Sequence, residues 1–243
     1  MKRLFLTAAC LVLTAAAPPP MQGERLEAGA TYFVLKMDGQ ENGRLWRVLR
    51  KTELNGRRVW DIVFHLKLVG REVRAHYVVD RASLLPIMMD GTRGRDRSDR
   101  NWERIRLRYD ARRIWGTRES SSGSKRISVA LNGPTWDGHL LGVMLAALPL
   151  AEGGRYTLPT WQYDGGKKQI TAEVVGDIVA SYDGKPAWLV EAGDDPSDRV
   201  RYEIARSPRA ERGYKEDLHA PGCVRIWETS EAVLHVSRLE RGR

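Results

Sequence analysis

Two histidines and two aspartates on neighbouring segments form the first candidate for chemistry. The alternation of apolar residues predicts a hairpin in which His65 faces His76 and Asp61 faces Asp80. Two facing imidazoles could bind a metal ion, but Asp61 precedes His65 by four residues, about 13 Å along a strand. Because that distance is too long for one coordination sphere, we interpret these side chains as solvated, and the sequence predicts no metal site.

Two other polar groups carry weaker signals. His139 could act as a base, but a base needs a partner and none can be identified from the sequence. Asp194, Asp195 and Asp198 lack the Asp-x-Asp-x-Asp-Gly spacing that encloses calcium, so they indicate a turn. The chain also contains no nucleophile elbow, phosphate-binding loop, zinc-binding histidine pair on a helix or CxxC motif. We therefore predict no catalytic residue and no cofactor.

A stretch rich in arginine is the strongest charge signal. Arg93 to Arg113 contains nine arginines against four acids, a local net charge of +5 in a chain of net charge +9. Alternation places three arginines on one strand face beside Trp102: Arg104, Arg106 and Arg108. Guanidinium groups in such a ladder could contact phosphates in bidentate fashion. Since charge runs are usually solvated, binding of an anionic polymer here is an alternative hypothesis.

The N-terminus has the pattern of a secretory signal. Lys2 and Arg3 precede an apolar segment over 4–16, and Ala15-Ala16-Ala17 provides a small-residue exit. The segment is shorter than the roughly 20 residues of a membrane span. We expect residues 1–17 to be a cleaved signal peptide, 18–30 a flexible lead-in, and the protein to be periplasmic without a transmembrane span. Nucleic acid is then not an expected partner.

One helix and many strands must position these groups. The apolar run after Asp137 predicts a short buried helix over about 139–148, with Asp137 as N-cap and Pro149 after its end. The rest of the chain alternates as strands of a mainly β domain. We predict a single curved antiparallel sheet, an open half-barrel over 31–206, with the helix against it. Residues 207–243 form a polar extension with one or two extra strands, the candidates being Val224 to Trp227 and Val233 to Leu239.

Two turns fix the register of the first hairpins. Asn55-Gly56 is the dipeptide that a type I′ turn favours. With Gly70 and Arg71 as a two-residue turn, Phe64 faces Tyr77 and Ile62 faces Val79 on the buried side, and His65 lies on the hydrated side.

A succession of short motifs resembles a known family. These are Asp137-Gly-His-Leu-Leu, Ala147-Leu-Pro-Leu, Tyr156-Thr-Leu-Pro, Val174-Val-Gly and Ala187-Trp-Leu-Val-Glu, in this order. The succession resembles an exported Gram-negative family of unknown function that is similar in shape to periplasmic lipoprotein carriers. The resemblance implies an open β half-barrel covered by a helix and brings no catalytic residue.

The expected function is binding. We expect a non-enzymatic envelope protein whose concave sheet binds an amphipathic ligand or a protein partner, such as a lipid, a lipoprotein or another envelope component. The expected ligand-binding residues lie on the helix: Leu141, Met144, Leu145 and Leu148. An enzyme acting on an envelope polymer remains the second alternative.

Overall fold

A computed structural model describes residues 18–37, 40–181, 183–197, 199–215 and 223–227. The predicted signal peptide (1–17) and the strand predicted over Val233 to Leu239 lie outside these residues. The strands are β1 (Gly29–Met37), β2 (Gln40–Leu54), β3 (Arg57–Leu68), β4 (Arg71–Asp80), β5 (Pro86–Arg93), β6 (Glu103–Tyr109), β7 (Arg113–Ser120), β8 (Gly123–Ala130), β9 (Trp136–Asp137), β10 (Arg155–Gln162), β11 (Gly166–Val179), β12 (Pro186–Gly193), β13 (Val200–Ala205), β14 (Ala210–Lys215) and β15 (Cys223–Trp227). One α-helix, α1 (Leu141–Ala147), follows a 3-10 turn over Gly138–Leu140.

The strands follow one another as two meanders. Neighbours run from β8 back to β1 in one meander, here the first arm, and from β14 back to β9 in the other, the second arm. Strand β15 lies between β1 and β14 and joins the arms. All pairs are antiparallel except β9 with β10. The predicted mainly β open half-barrel with one short helix is confirmed, although the second arm makes the architecture more than one simple sheet.

The helix is shorter than predicted but buried as expected. The Asp137 carboxylate accepts the backbone N–H of His139, which caps the 3-10 turn. Helical geometry ends at Leu148, the residue before Pro149. The side chains from Val143 to Ala147 belong to one buried core that also contains inner-face residues of both arms.

The hairpin of β3 and β4 has a different register from the predicted one. The turn residues are Val69 and Gly70, and Gly70 (φ +71°) takes the second turn position, not the first. Ile62 therefore pairs with Tyr77, and Phe64 pairs with Ala75. Because the difference is two residues, every side chain keeps its predicted face.

The first hairpin turn agrees with its prediction. Asn55 and Gly56 connect β2 and β3 with φ values of +52° and +77°. Positive φ at both central residues is the signature of the type I′ turn.

His65 is buried, so its predicted place on a hydrated face is wrong. The indole of Trp46 lies between the rings of Tyr32 and His65, with centroid distances of 5.3 and 5.4 Å. This outer-face aromatic layer reduces the exposed fraction of His65 to 4%. His65 faces Arg74 instead of His76, and its Nε2 lies 2.7 Å from Glu72.

His76 also has a different partner from the predicted one. It pairs with Val63 across the strands, and its Nε2 lies 2.9 Å from the Asp61 carboxylate. Asp80 pairs with Val59, so the two aspartates do not face each other.

Two strands beyond residue 206 belong to the sheet. Strand β14 pairs with β13, and β15 pairs with both β14 and β1. The predicted strand over Val224 to Trp227 is thus present.

Candidate functional site: a cavity on the concave face

A cavity of about 380 Å³ opens on the concave face of the half-barrel. Its walls come from β1–β4 of the first arm, from residues 138–143 and from the second arm. Ligand-binding clefts usually enclose about 300–1,000 Å³, so the cavity is large enough for a small ligand or one apolar chain.

The wall formed by the first arm is apolar. Leu45, Leu66 and Val73 are direct cross-strand neighbours on β2, β3 and β4. They are only half-buried, as is Phe64 beside them. Farther along the hairpin Trp60 is fully buried in the core. The core thus covers one end of the concave face and leaves apolar side chains open to the cavity at the other.

The helix contributes only its first turn to the cavity. Leu141 is half-buried and lines it. Met144, Leu145 and Leu148 are at most 1% exposed and pack in the core. Of the four predicted ligand-binding residues, Leu141 therefore borders the cavity in this conformation.

A buried ion pair borders the cavity between the arms. Arg47 Nη1 of β2 donates to Glu211 Oε2 of β14 over 2.7 Å. The Arg47 guanidinium also lies 5.0 Å from the centroid of the Phe33 ring. The carboxylate of Glu211 approaches Gly142 so closely that a Cβ at this position would overlap it.

His139 sits between two acids at the polar end of the cavity. Its Nδ1 lies 3.0 Å from Asp137 Oδ1, and its Nε2 lies 3.3 Å from Asp164 Oδ1. The imidazole stacks on Tyr163, with ring centroids 5.0 Å apart. Arg93 of β5 donates to both Asp164 and Tyr163. These contacts connect the first arm to the turn between β10 and β11.

The two acids control the charge of the imidazole. Burial alone would lower the pKa of His139, but hydrogen bonds to Asp137 and Asp164 raise it to about 9. The same hydrogen bond to His139 lowers the pKa of Asp164, against the opposing effect of its burial. His139 is therefore a cation at neutral pH with both ring nitrogens engaged, which is unsuited to accepting a proton.

Asp137 also accepts a hydrogen bond from a tyrosine. Tyr109 donates its hydroxyl hydrogen to Asp137 Oδ2 over 2.8 Å. Burial raises the pKa of both Tyr109 and Tyr77, and the negative charge of Asp137 raises it further.

The acidic partners of His139 were not predicted from the sequence. The Asp-x-His spacing was a signal for Asp137, but Asp164 reaches the site only through the fold.

The predicted arginine ladder lies on the outer face of β6. Arg104 pairs with Asp90 at 3.0 Å, Arg106 pairs with Glu119, and Arg108 contacts Met88 Sδ at 2.9 Å. The Arg97 guanidinium lies 5.1 Å from the centroid of the Trp102 ring. Two of the three guanidinium groups thus already contact carboxylates of the neighbouring strands.

Across the part of the chain that the structure describes, no three His, Cys, Asp or Glu side chains are grouped so as to hold a metal ion. No helix in these described ranges is long and apolar enough to cross a membrane.

Comparison with known proteins identifies a family. No curated protein and no solved structure matches the chain. A family model described as "Protein of unknown function (DUF3108)" matches residues 30–213, which include β2 to β13, α1 and most of β1 and β14. The match covers more than half of the chain, so this protein belongs to the DUF3108 family, whose function is unknown.

Proposed function

We propose that this protein is an exported envelope protein that binds the apolar chain of an amphipathic molecule in the concave-face cavity. The half-buried row of Leu45, Leu66 and Val73 carries the proposal, because this apolar surface faces a cavity instead of the core. Apolar surface left open in a concave site is typical of a binding surface. A chain placed there gains roughly 25 cal/mol for each Å² of apolar surface that it removes from water.

The charged border of the cavity favours a ligand with a negative end. Arg71 lines the cavity and is exposed, and no described acid pairs with it. The other cations on the border, Arg47 and His139, already contact the carboxylates of Glu211, Asp137 and Asp164. An acyl chain with an anionic end matches this combination of an apolar wall and the Arg71 guanidinium.

The helix does not need to move for this binding. Met144, Leu145 and Leu148 stay in the core while the chain contacts Leu141 and the sheet. Of the four helix residues expected to bind the ligand, the proposal thus keeps Leu141, in the first turn.

Export is supported by the basic start, the short apolar run and the Ala-rich exit of the sequence. N-terminal sequencing of the protein from the periplasmic fraction should begin near Ala17 or Pro18. An intact Met1 in the membrane pellet would contradict export.

Chain binding can be tested with the apolar fluorophore N-phenylnaphthylamine. The fluorophore should bind to the purified protein, and decyl phosphate should displace it. Val73→Trp fills the apolar wall and should weaken binding at least about tenfold, which corresponds to about 1.4 kcal/mol. Val179→Trp is the matched control, because Val179 is 68% exposed on β11 and does not line the cavity.

Two results would contradict the proposal. The wild-type protein could fail to bind the fluorophore, or Val73→Trp could bind it as tightly as Val179→Trp does. Thermal unfolding of both variants verifies that each of them is folded.

A further inference from the structure

The row of inner-face residues that forms the apolar wall continues across the sheet and becomes polar. Val73 pairs with Arg93 of β5, Arg93 pairs with Glu103 of β6, and Glu103 pairs with Ser120 of β7. One continuous strip of the concave face thus changes from aliphatic to charged and hydroxyl-bearing side chains at the boundary between β4 and β5.

A second cavity, here the polar cleft, lies over the polar part of this strip. Its volume is about 460 Å³, and Arg71 borders both the polar cleft and the concave-face cavity. The groups that could contact a ligand are mainly hydrogen-bond donors: Arg71, Arg93, Arg100, Asn101, Ser121 and Ser122. The two cavities therefore meet at one exposed guanidinium group.

The acids of the polar cleft are already engaged by other donors. Glu103 Oε1 accepts from Arg118, and the buried Oε2 lies 4.0 Å from Arg93 Nη1. The Asp99 carboxylate accepts the backbone N–H groups of Arg95 and Asn101, at 3.3 and 2.9 Å. These backbone hydrogen bonds, led by that of Asn101, lower the pKa of Asp99, so the carboxylate is fixed within its own loop.

Two of the cations, in contrast, are available. Arg71 and Arg100 are exposed, and none of the described acids pairs with either of them. Their guanidinium groups are therefore the groups of the polar cleft best able to contact an anionic ligand.

We infer that the polar cleft binds the phosphate-bearing headgroup of the same amphipathic ligand, with Arg71 at the junction between headgroup and chain. This inference rests on the proposed function. A phosphate presents several acceptor oxygens, which suits guanidinium, amide and hydroxyl donors that come from different loops. The cleft is also larger than one anionic group requires, which leaves space for the polar body of a headgroup.

The test compares two ligands with the same chain. Decyl phosphate and decyl alcohol each compete with N-phenylnaphthylamine for the protein purified from cells that express the whole chain. The wild-type protein should bind the phosphate about tenfold more tightly than the alcohol, as expected for charge-assisted hydrogen bonds. Arg71→Gln/Arg100→Gln should remove this preference, because it should weaken binding of decyl phosphate about tenfold more than binding of decyl alcohol.

A matched control changes the net charge equally at a distance from the cleft. Arg108→Gln/Arg126→Gln removes two exposed arginines that do not border either cavity. This double variant should keep the full preference for the phosphate. Free glycerol phosphate, which offers the headgroup without a chain, should not displace the fluorophore.

The outcomes separate the inference from the proposed function. Equal binding of phosphate and alcohol by the wild type, or an unchanged preference in Arg71→Gln/Arg100→Gln, would overturn the headgroup site while chain binding stands. Loss of the preference in Arg108→Gln/Arg126→Gln would also overturn the headgroup site, because the preference would then come from overall charge or from the ladder of β6. Displacement by free glycerol phosphate would overturn it as well, because the site would then bind soluble phosphates without a chain. Absence of binding by either decyl compound would overturn the proposed function itself.

Discussion

Arg47 of β2 and Glu211 of β14 are 164 positions apart in the chain, yet their side chains share a buried hydrogen bond of 2.7 Å. Both side chains line the concave-face cavity, so this ion pair connects the two arms at the place where the ligand is proposed to bind. Taking two charges out of water is costly, and the pair compensates for that cost only while both partners are present.

Removing one partner of this pair should therefore lower the free energy of unfolding more than replacing both partners. Glu211→Leu leaves the Arg47 charge buried without its partner and should reduce the free energy of unfolding by about 3–5 kcal/mol. Arg47→Met/Glu211→Leu should recover most of that loss, since both charges are gone. Urea unfolding of the single and double variants measures the difference. A loss in the double variant as large as that in Glu211→Leu would contradict the prediction that the unpaired Arg47 charge causes the destabilisation.

Gly142 should not tolerate a methyl group, although alanine is the better helix former. A Cβ at Gly142 would overlap the Glu211 carboxylate, which its ion pair holds in place. Overpacking costs about 1–3 kcal/mol, more than the roughly 0.5–1 kcal/mol that alanine gains over glycine in a helix. Gly142→Ala should lower the melting temperature. Gly176→Ala is the control, because a Cβ there meets no atom within 4 Å, and an equal loss in both variants would rule out the Glu211 contact as the cause.

The stability of the protein should fall in mild alkali because of His139. Its pKa is about 9 in the folded protein and 6.5 in the reference state. A raised pKa stabilises the fold fully below about pH 6.5, and this contribution disappears as the pH rises through 9. We expect a loss of roughly 2 kcal/mol over this interval. Urea unfolding at several pH values measures it.

A variant that lacks His139 provides the comparison for this pH dependence. His139→Gln should be less stable than the wild type at pH 6 and should show a flatter profile up to pH 9. Asp164 contributes to the pH dependence of stability at acidic pH. Because its pKa is lowered, it stabilises the fold above about pH 3.8, and this contribution is lost as the pH falls. Parallel alkaline profiles for the wild type and His139→Gln would contradict the assigned ion pairs.

His65 should matter for stability in spite of its position on the outer face of the sheet. His65→Ala removes a buried ring that stacks on Trp46 and hydrogen-bonds to Glu72. We expect a loss of about 1–3 kcal/mol in the free energy of unfolding. His76→Ala, at a half-buried position on the neighbouring strand, should cost less. A similar cost for both substitutions would show that the Trp46 layer does not protect His65.

The misplacement of His65 shows where reading the sequence fails. Alternation correctly assigns Ile62 and His65 to opposite faces, because the period of a strand is fixed. It does not indicate whether the second face is solvated. That depends on Trp46, which reaches its place over His65 through the pairing of β2 with β3.

The contacts around the cavity show the same limit of prediction from the sequence. The capping of the helix by Asp137 and the apolar inner face of β3 are local features and could be predicted from the sequence. The partnership of Arg47 with Glu211, and of His139 with Asp164, depends on how the two arms meet. No local pattern contains that information, so these contacts are visible only in the folded chain.

The most direct test of chain binding is a crystal structure with decyl phosphate that carries a bromine atom at the end of its chain. The anomalous signal of bromine locates the chain end independently of the protein model. We predict a bromine peak between Leu66 and Leu141, with Leu45 and Val73 in contact with the chain. A bound ligand whose bromine lies outside the concave-face cavity would contradict the account.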